Sequence, residues 1–427
     1  MKTITEIQQQ IEQLKQQILE AQQHTPPTYS SEHFSSKNVL MSQKIVSDSQ
    51  QVISNVQSII SNIEFTPDIE PILSNIQSVI SNIESAISNI QPPQPPQPCV
   101  NHVIPINLCK IGMKRHNIKD DIENNIPIEE NLHVIAVISN ICLFKKRYQL
   151  IREFMRRMEF ENNVILYVVE LAYGNQPFAI TKSNNPRHLQ LRTKEAIWHK
   201  ENMINLGVRK LLPPNWKAFA WIDSDVDFDS NCWALDTLKI LNGAKDIVQI
   251  FSHAVDMDQN EETMNVYNSF SFQFCHGLPY SNKFPNYWHP GYAWACTRKA
   301  YEQMGCLFEL GILGASDHIM SFCLTNKGVQ SVNEKYSEDF KNKILEFQNR
   351  VKRLRLGYVP VTIRHFFHGS KANRKYIERN EILLRYNYSP SIHITYDSNG
   401  IMIPSANFPK EFLDEIMNYF KQRNEDE

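Results

Sequence analysis

Residues Pro92 to Pro98 read Pro-Pro-Gln-Pro-Pro-Gln-Pro. Each proline fixes φ and lacks an amide proton, so this run can enter neither a helix interior nor the centre of a sheet. It reads as an extended spacer, and what lies on either side of it has to fold separately. The 427-residue chain therefore divides into a segment 1–91, a Pro-rich linker and connecting segment 92–127, and a head 128–427.

The first segment is repetitive. Ile7, Ile11, Leu14 and Ile18 recur at alternating steps of three and four on a Gln/Glu/Lys background, the seam of an α-helical coiled coil. Further on, Ile-Ser-Asn-Ile or a near variant begins at Ile53, Ile60, Leu73, Ile80 and Ile87, one heptad apart within each half. Apolar, mostly β-branched residues at both seam positions favour trimers or larger assemblies, so the expected element is a homo-oligomeric stalk. Pro67 and Pro71 predict a hinge or hairpin within it. Ser and Asn are mediocre helix formers, which leaves a low-complexity tract or a helix folded back on the head as the competing reading.

The formal net charge of -2 gives no field that would draw nucleic acid. No stretch reaches the ~18 uninterrupted apolar residues of a membrane span, and Met1 to Ala21 lacks the apolar centre of a signal peptide. The eight cysteines form no C-x-x-C pair, as expected in a reducing compartment: the cytoplasm, or a host cytoplasm or virion for a viral source.

In the head, β-branched apolar runs at 132–139, 164–170, 217–222 and 246–251 alternate with helical spacing at 145–158 and 188–206. That alternation predicts an α/β fold with a mainly parallel sheet, whose ligands sit at the carboxyl ends of the strands. Directly after the 217–222 strand comes Asp223-Ser224-Asp225-Val226-Asp227. Three carboxylates this close repel unless a cation lies among them. Hard oxygen ligands suit Mn2+ or Mg2+, which can bridge a nucleotide diphosphate and neutralise a leaving group. An acidic turn that is merely solvated is the bland alternative.

The flanking residues resemble a known family. Trp198-His-Lys-Glu-Asn-Met-Ile-Asn-Leu-Gly207 followed by Ala220-Trp-Ile-Asp-Ser-Asp-Val226 is similar to the segment before and through the D-x-D of GT-A glycosyltransferases. The β-1,4-galactosyltransferases and polypeptide N-acetylgalactosaminyltransferases are familiar members. Glu170-Leu-Ala-Tyr-Gly-Asn-Gln-Pro-Phe178 and His188-Leu-Gln-Leu-Arg192 resemble bacterial and viral glycosyltransferase-like proteins. His289-Pro-Gly-Tyr-Ala-Trp-Ala-Cys-Thr-Arg298 is similar to the strand before the family's acceptor site, and Leu313-Gly-Ala-Ser-Asp317-His318 falls where the family shows W-G-G-E-D or W-G-G-E-N. The family's Glu is replaced here by Ser316, or by Ala315 if the register shifts, leaving Asp317 as the carboxylate. The resemblance spans 132 to about 403.

The resemblance implies a GT-A head, Rossmann-like, that moves a sugar from a nucleotide-sugar, UDP-linked in the reading adopted, to a hydroxyl of a glycan or protein acceptor; a single base would give inversion, while retaining members of the fold share most of these blocks. Asp225 and His365 would hold Mn2+ or Mg2+. Asp223 would face the ribose or bridge to the metal, and Asp317 would be the general base; its plain alternative is a helix cap. His368, three residues beyond His365, is either a metal ligand or a phosphate contact. Lys200 and Asn205 match the helix that approaches the nucleotide, Glu170 could accept from ribose or base, and Lys371 with Arg374 could close over the diphosphate, Lys375 and Arg379 reading as solvated. Two rivals remain. One is a non-catalytic carbohydrate-binding head on an oligomeric stalk. The other, a nucleotidyltransferase, calls for a Gly-rich basic loop that Ser139 to Phe144 does not provide.

Overall fold

The structure, a computed structural model, describes residues 117–426 apart from 284, 285 and 377, together with Ser78 and Ser81. The coiled-coil stalk, its oligomerisation and the Pro-rich spacer lie outside the described residues. The chain divides into two units, Met1–Val100 and Asn101–Glu427, and the second holds everything that follows.

Its element order is α1 (Ile118–Asn124), β1 (Leu132–Ser139), α2 (Lys145–Met158), β2 (Val164–Tyr173), β3 (His188–Thr193), α3 (Lys200–Leu211), β4 (Ala218–Ile222), β5 (Val226–Phe228), α4 (Trp233–Leu241), β6 (Ile247–Gln249), β7 (His253–Met257), β8 (Thr263–Ser269), α5 (Phe270–Cys275), β9 (Trp288–His289) and β10 (Ala293–Thr297). There follow α6 (Arg298–Met304), α7 (Ser316–Leu324), α8 (Glu338–Val351), β11 (Leu356–Tyr358), β12 (Thr362–His365), α9 (Glu378–Arg385), α10 (Pro390–His393), β13 (Ile394–Tyr396), β14 (Met402–Pro404) and α11 (Lys410–Gln422).

Seven strands form the main sheet in the order β11-β6-β10-β4-β1-β2-β3. Strands β3, β2, β1 and β4 run parallel, and β10 is antiparallel to both β4 and β6. The sheet is covered on both faces, which explains why β1 is apolar at successive positions rather than at alternate ones. Val134, Ala136, Ala220 and Ile222 pack into one core with Phe154 and Trp233, whereas Ile135, Phe219 and Trp221 pack into the other with Met203, Ile204 and Trp294. Gly207 lets α3 lie close to the sheet: a Cβ there would meet Val169 Cγ2 at 3.0 Å and Ile135 Cγ2 at 3.2 Å.

Two sequence expectations change. The helix predicted over 188–206 begins only at Lys200, and 188–193 is the edge strand β3. The signal was present as a period of two, with Leu191 and Thr193 buried on either side of exposed Arg192. The apolar run 357–369 that ends in the two histidines, whose sequence suggests one strand, is two: β11 belongs to the main sheet and β12 to a five-stranded sheet ordered β5-β12-β7-β8-β9. Pro360, lacking an amide proton, falls in the gap between them. This crossing sets the site, because β12 pairs antiparallel with β5 and parallel with β7 and carries His365 between Val226 and Asp256. Among the described residues no helix is long and apolar enough to cross a membrane.

Candidate metal centre

Asp223 leaves the end of β4, and its amide donates to the Tyr292 carbonyl at 2.8 Å. Tyr292 adopts φ of 77°, a conformation uncommon outside glycine that tends to mark functional sites. Its ring stacks on His289 at 3.9 Å between centroids and tilts over His365 at 4.7 Å. One residue earlier, a Cβ on Gly291 would stand 2.7 Å from Asp317 Oδ2. Glycine at this point lets Asp317, in the first turn of α7, approach the same turn.

Beyond Asp223 the chain enters β5, and the Asp225 carbonyl accepts from the Phe366 amide at 2.8 Å. Asp225, His365 and His368 then bring one ligand atom each to within 4.8 Å of one another. Asp225 Oδ2 lies 2.7 Å from His368 Nε2 and 3.7 Å from His365 Nε2. The second oxygen, Oδ1, is buried without a hydrogen-bond partner. His368 Nε2 also receives Arg374 Nη2 at 2.8 Å. One imidazole nitrogen carries either a proton or a lone pair, so it cannot serve both neighbours at once.

These features fit a divalent cation. One carboxylate, its second oxygen a buried orphan, and two imidazole nitrogens make a donor set that suits Mn2+ and other first-row metals. Burial pushes the Asp225 carboxyl upward, but the two imidazoles outweigh it and hold the group well below the usual carboxylate range. For His365 burial acts downward, and Asp225 together with Asp256 reverses it, leaving the imidazole raised.

Asp256 was not singled out in the sequence. It is 1% exposed, sits opposite His365 in the β12–β7 register, and its Oδ1 lies 2.6 Å from His365 Nδ1. A carboxylate on Nδ1 turns Nε2 toward the ligand position, and the loss of such a partner typically costs 10–100-fold in metal affinity. Asp256→Asn is therefore expected to weaken Mn2+ binding by ~10–100-fold, as read by calorimetric titration. An unchanged affinity would show that the imidazole is oriented by its ring contacts alone.

The remaining expected residues divide. Lys200 pairs with Asp223, so Asp223 lies beside the three-ligand group and not in it. His368 lies with Asp225 and His365 in the three-residue group. Lys371 pairs with Asp256 and donates to the Tyr267 hydroxyl at 3.0 Å, acting through Asp256. Glu170 is not at a strand end, because β2 continues to Tyr173. Its carboxylate accepts from the amides of Ala179, Ile180 and Thr181 and from the Thr181 hydroxyl, which makes it a clamp on the loop after β2. Asn205 is fully buried; its side chain donates to Leu307 O and Glu309 and accepts from the Leu307 amide and Tyr301 hydroxyl. It ties α3 to 307–309. Lys375 donates to Gln422 and Arg379 to Tyr419.

Next to Lys200, Glu201 is buried with Oε2 unpartnered. Burial, aided by the Asp317 and Asp223 charges, pushes its pKa up to about 7 against the pull of Lys200. Because the folded-state value is raised, the stabilisation is complete below the unfolded pKa and is lost as pH rises through about 7. Glu201→Gln should thus gain stability over the parent by roughly 2 kcal/mol more at pH 8 than at pH 5, measured by urea unfolding at both. Parallel pH curves for the two proteins would contradict it.

A cavity of about 210 Å³ opens at the metal group. Asp223, Asp225, His365 and His368 line it together with apolar Ile135, Ile197 and Ile204 and with Arg147, Arg374, Arg423 and Glu425. Of these last four only Arg374 was picked out in the sequence; Arg147 stood in view at the basic start of α2. Five described cysteines are free thiols, whereas Cys232 is disulfide-bonded, contrary to the expectation of unpaired thiols.

No protein-family model matches the chain, and no curated protein matches it by sequence. Among solved structures it is similar to the mannosyltransferase PcManGT from Pyrobaculum calidifontis in complex with GDP-Man and Mn2+, at 13% identity and TM-score 0.30 over 63% of this chain and 66% of that one. A protein of Desulfovibrio desulfuricans G20 described as a nucleotide-diphospho-sugar transferase matches at 9% identity and TM-score 0.24, over 69% of this chain and 99% of that one. One of Bacillus anthracis described as a glucose-1-phosphate thymidylyltransferase, in complex with a sucrose, matches at 7% and 0.28, over 60% and 95%.

Proposed function

We propose that the head is a metal-dependent GT-A-type glycosyltransferase that moves a sugar from a nucleoside-diphosphate sugar, UDP-linked, to an acceptor hydroxyl. The observation that carries this reading is the Asp225, His365 and His368 group. It stands at the carboxyl edge of the parallel strands and opens on a cavity that three guanidiniums also line, where an open α/β sheet places its ligand.

In this reading Asp225, His365 and His368 hold Mn2+ or Mg2+, which when bound neutralises charge on the leaving diphosphate. Asp256 orients His365. Lys200, fixed by Asp223, presents a point charge toward the phosphates. Asp317 takes the proton of the attacking acceptor hydroxyl, and Gly291 leaves room for it to do so. With one base on the acceptor side, direct displacement inverts the anomeric carbon.

The test is a panel of UDP- and GDP-sugars in thermal unfolding with and without Mn2+, followed by donor hydrolysis assays. A donor at 100 times its Kd adds about 2.7 kcal/mol to stability, a shift that should appear only with metal. Sugar binding without turnover would favour the non-catalytic head, and silence across the panel would sink the proposal.

A further inference from the structure

The segment that follows α11, Arg423 to Asp426, runs along the cavity beside the metal group. Glu425 is 1% exposed. Its carboxylate takes Arg147 through Nε and, at 2.7 Å, Nη2. It also accepts from Arg423 Nε at 2.6 Å and lies 3.5 Å from His368 Nδ1. Asp426 accepts from the amides of Lys145 and Lys146 at 3.0 and 2.9 Å, the free donors at the start of α2. Gly369, one residue past His368, has φ of +85°, and a Cβ there would stand 2.9 Å from Glu425 Cα and 3.0 Å from Asn424 O. The loop that carries the histidines is therefore packed directly on this segment.

Three guanidiniums, Arg147, Arg374 and Arg423, line the cavity, and one internal carboxylate stands among them. Guanidinium forks that grip a carboxylate in two-point fashion grip a phosphate equally well. A diphosphate bound beside Asp225, His365 and His368 would carry more charge than one carboxylate and would compete with Glu425 for Arg147 Nε and Nη2 and for Arg423 Nε. An N–H aimed at Glu425 has to turn from it to serve the diphosphate.

We propose that Arg147, Arg374 and Arg423 form the wall that binds the donor's diphosphate, and that Glu425 is a resident counter-anion which the diphosphate displaces. Residues 423–426 then act as a strap, held by Asp426 on α2, that opens as the donor enters. This rests on the glycosyltransferase reading for the identity of the ligand, while the anion site itself can be probed without a sugar.

The experiment titrates inorganic pyrophosphate with Mn2+ into the full chain and into Glu425→Gln, which keeps the shape and a hydrogen-bonding oxygen but removes the charge. Binding about tenfold tighter in the variant is expected, with pyrophosphate raising amide exchange across 423–426 in the parent. Equal or weaker binding by the variant, or no pyrophosphate binding by either protein, overturns the strap. Should Glu425→Gln unfold, Asp426→Asn frees the strap from α2 with all three arginines in place and must change affinity in the same direction. Tighter pyrophosphate binding combined with a silent nucleotide-sugar panel would retire the glycosyl reading and keep the strap. A metal-dependent response to UDP-sugars with no effect of Glu425→Gln would do the reverse.

Discussion

Asp225→Asn should lower metal-dependent donor hydrolysis or sugar transfer by at least ~100-fold, since losing even an outer-shell partner of a metal ligand typically costs 10–100-fold. Asp225 is the one carboxylate in a group whose other two ligands are neutral imidazoles when they hold a cation. Asparagine preserves the volume and an oxygen, so the loss reports charge rather than a cavity. A 100-fold drop corresponds to about 2.7 kcal/mol in the barrier, well within what one ligand to a divalent cation supplies. The apo protein should also lose some stability at neutral pH, because a carboxyl held below its ordinary range contributes above the unfolded pKa and fades as pH falls through the folded one. Steady-state rates over a Mn2+ series are the readout. Full activity with unaltered metal dependence would place the chemistry elsewhere.

Trp233→Ala is expected to destabilise the head by ~3–5 kcal/mol. The indole is fully buried, stacked on Phe228 with centroids 4.1 Å apart and planes 9° apart, and its Nε1 donates to Glu161 at 3.1 Å. Alanine leaves both a void and a stranded acceptor, for burial has already pushed the Glu161 carboxyl up to about 7. The damage reaches the site through one strand pair, since Phe228 lies opposite Ile363 in β12, two residues before His365. Urea denaturation followed by fluorescence measures the first effect and Mn2+ affinity the second. A loss under ~1 kcal/mol would mean that the neighbouring side chains collapse into the space.

Much of this site was legible because its chemistry is local. Asp223 and Asp225 follow an apolar run, and His365 and His368 stand three apart at the end of another. Their types announce a cation before any contact is known. Where reading failed, a local pattern had two meanings. Glu170 read as a strand-end acceptor, yet the strand runs on and three amides of the next loop close on the carboxylate. Asn205 sits on the helix facing the nucleotide in the resemblance, but its amide is taken up by 307–309.

What the sequence by itself determined is which segments become strands and helices, through apolar spacing at 132–139, 145–158 and 218–222, and which of their ends carry acids and histidines. Only the tertiary structure decided which of those ends meet. His365 finds Asp256 across 109 positions, and Arg147 finds Glu425 across 278. Such partners are chosen by strand order and by which surfaces two cores bury, a free-energy balance over the whole domain that no spacing along the chain records.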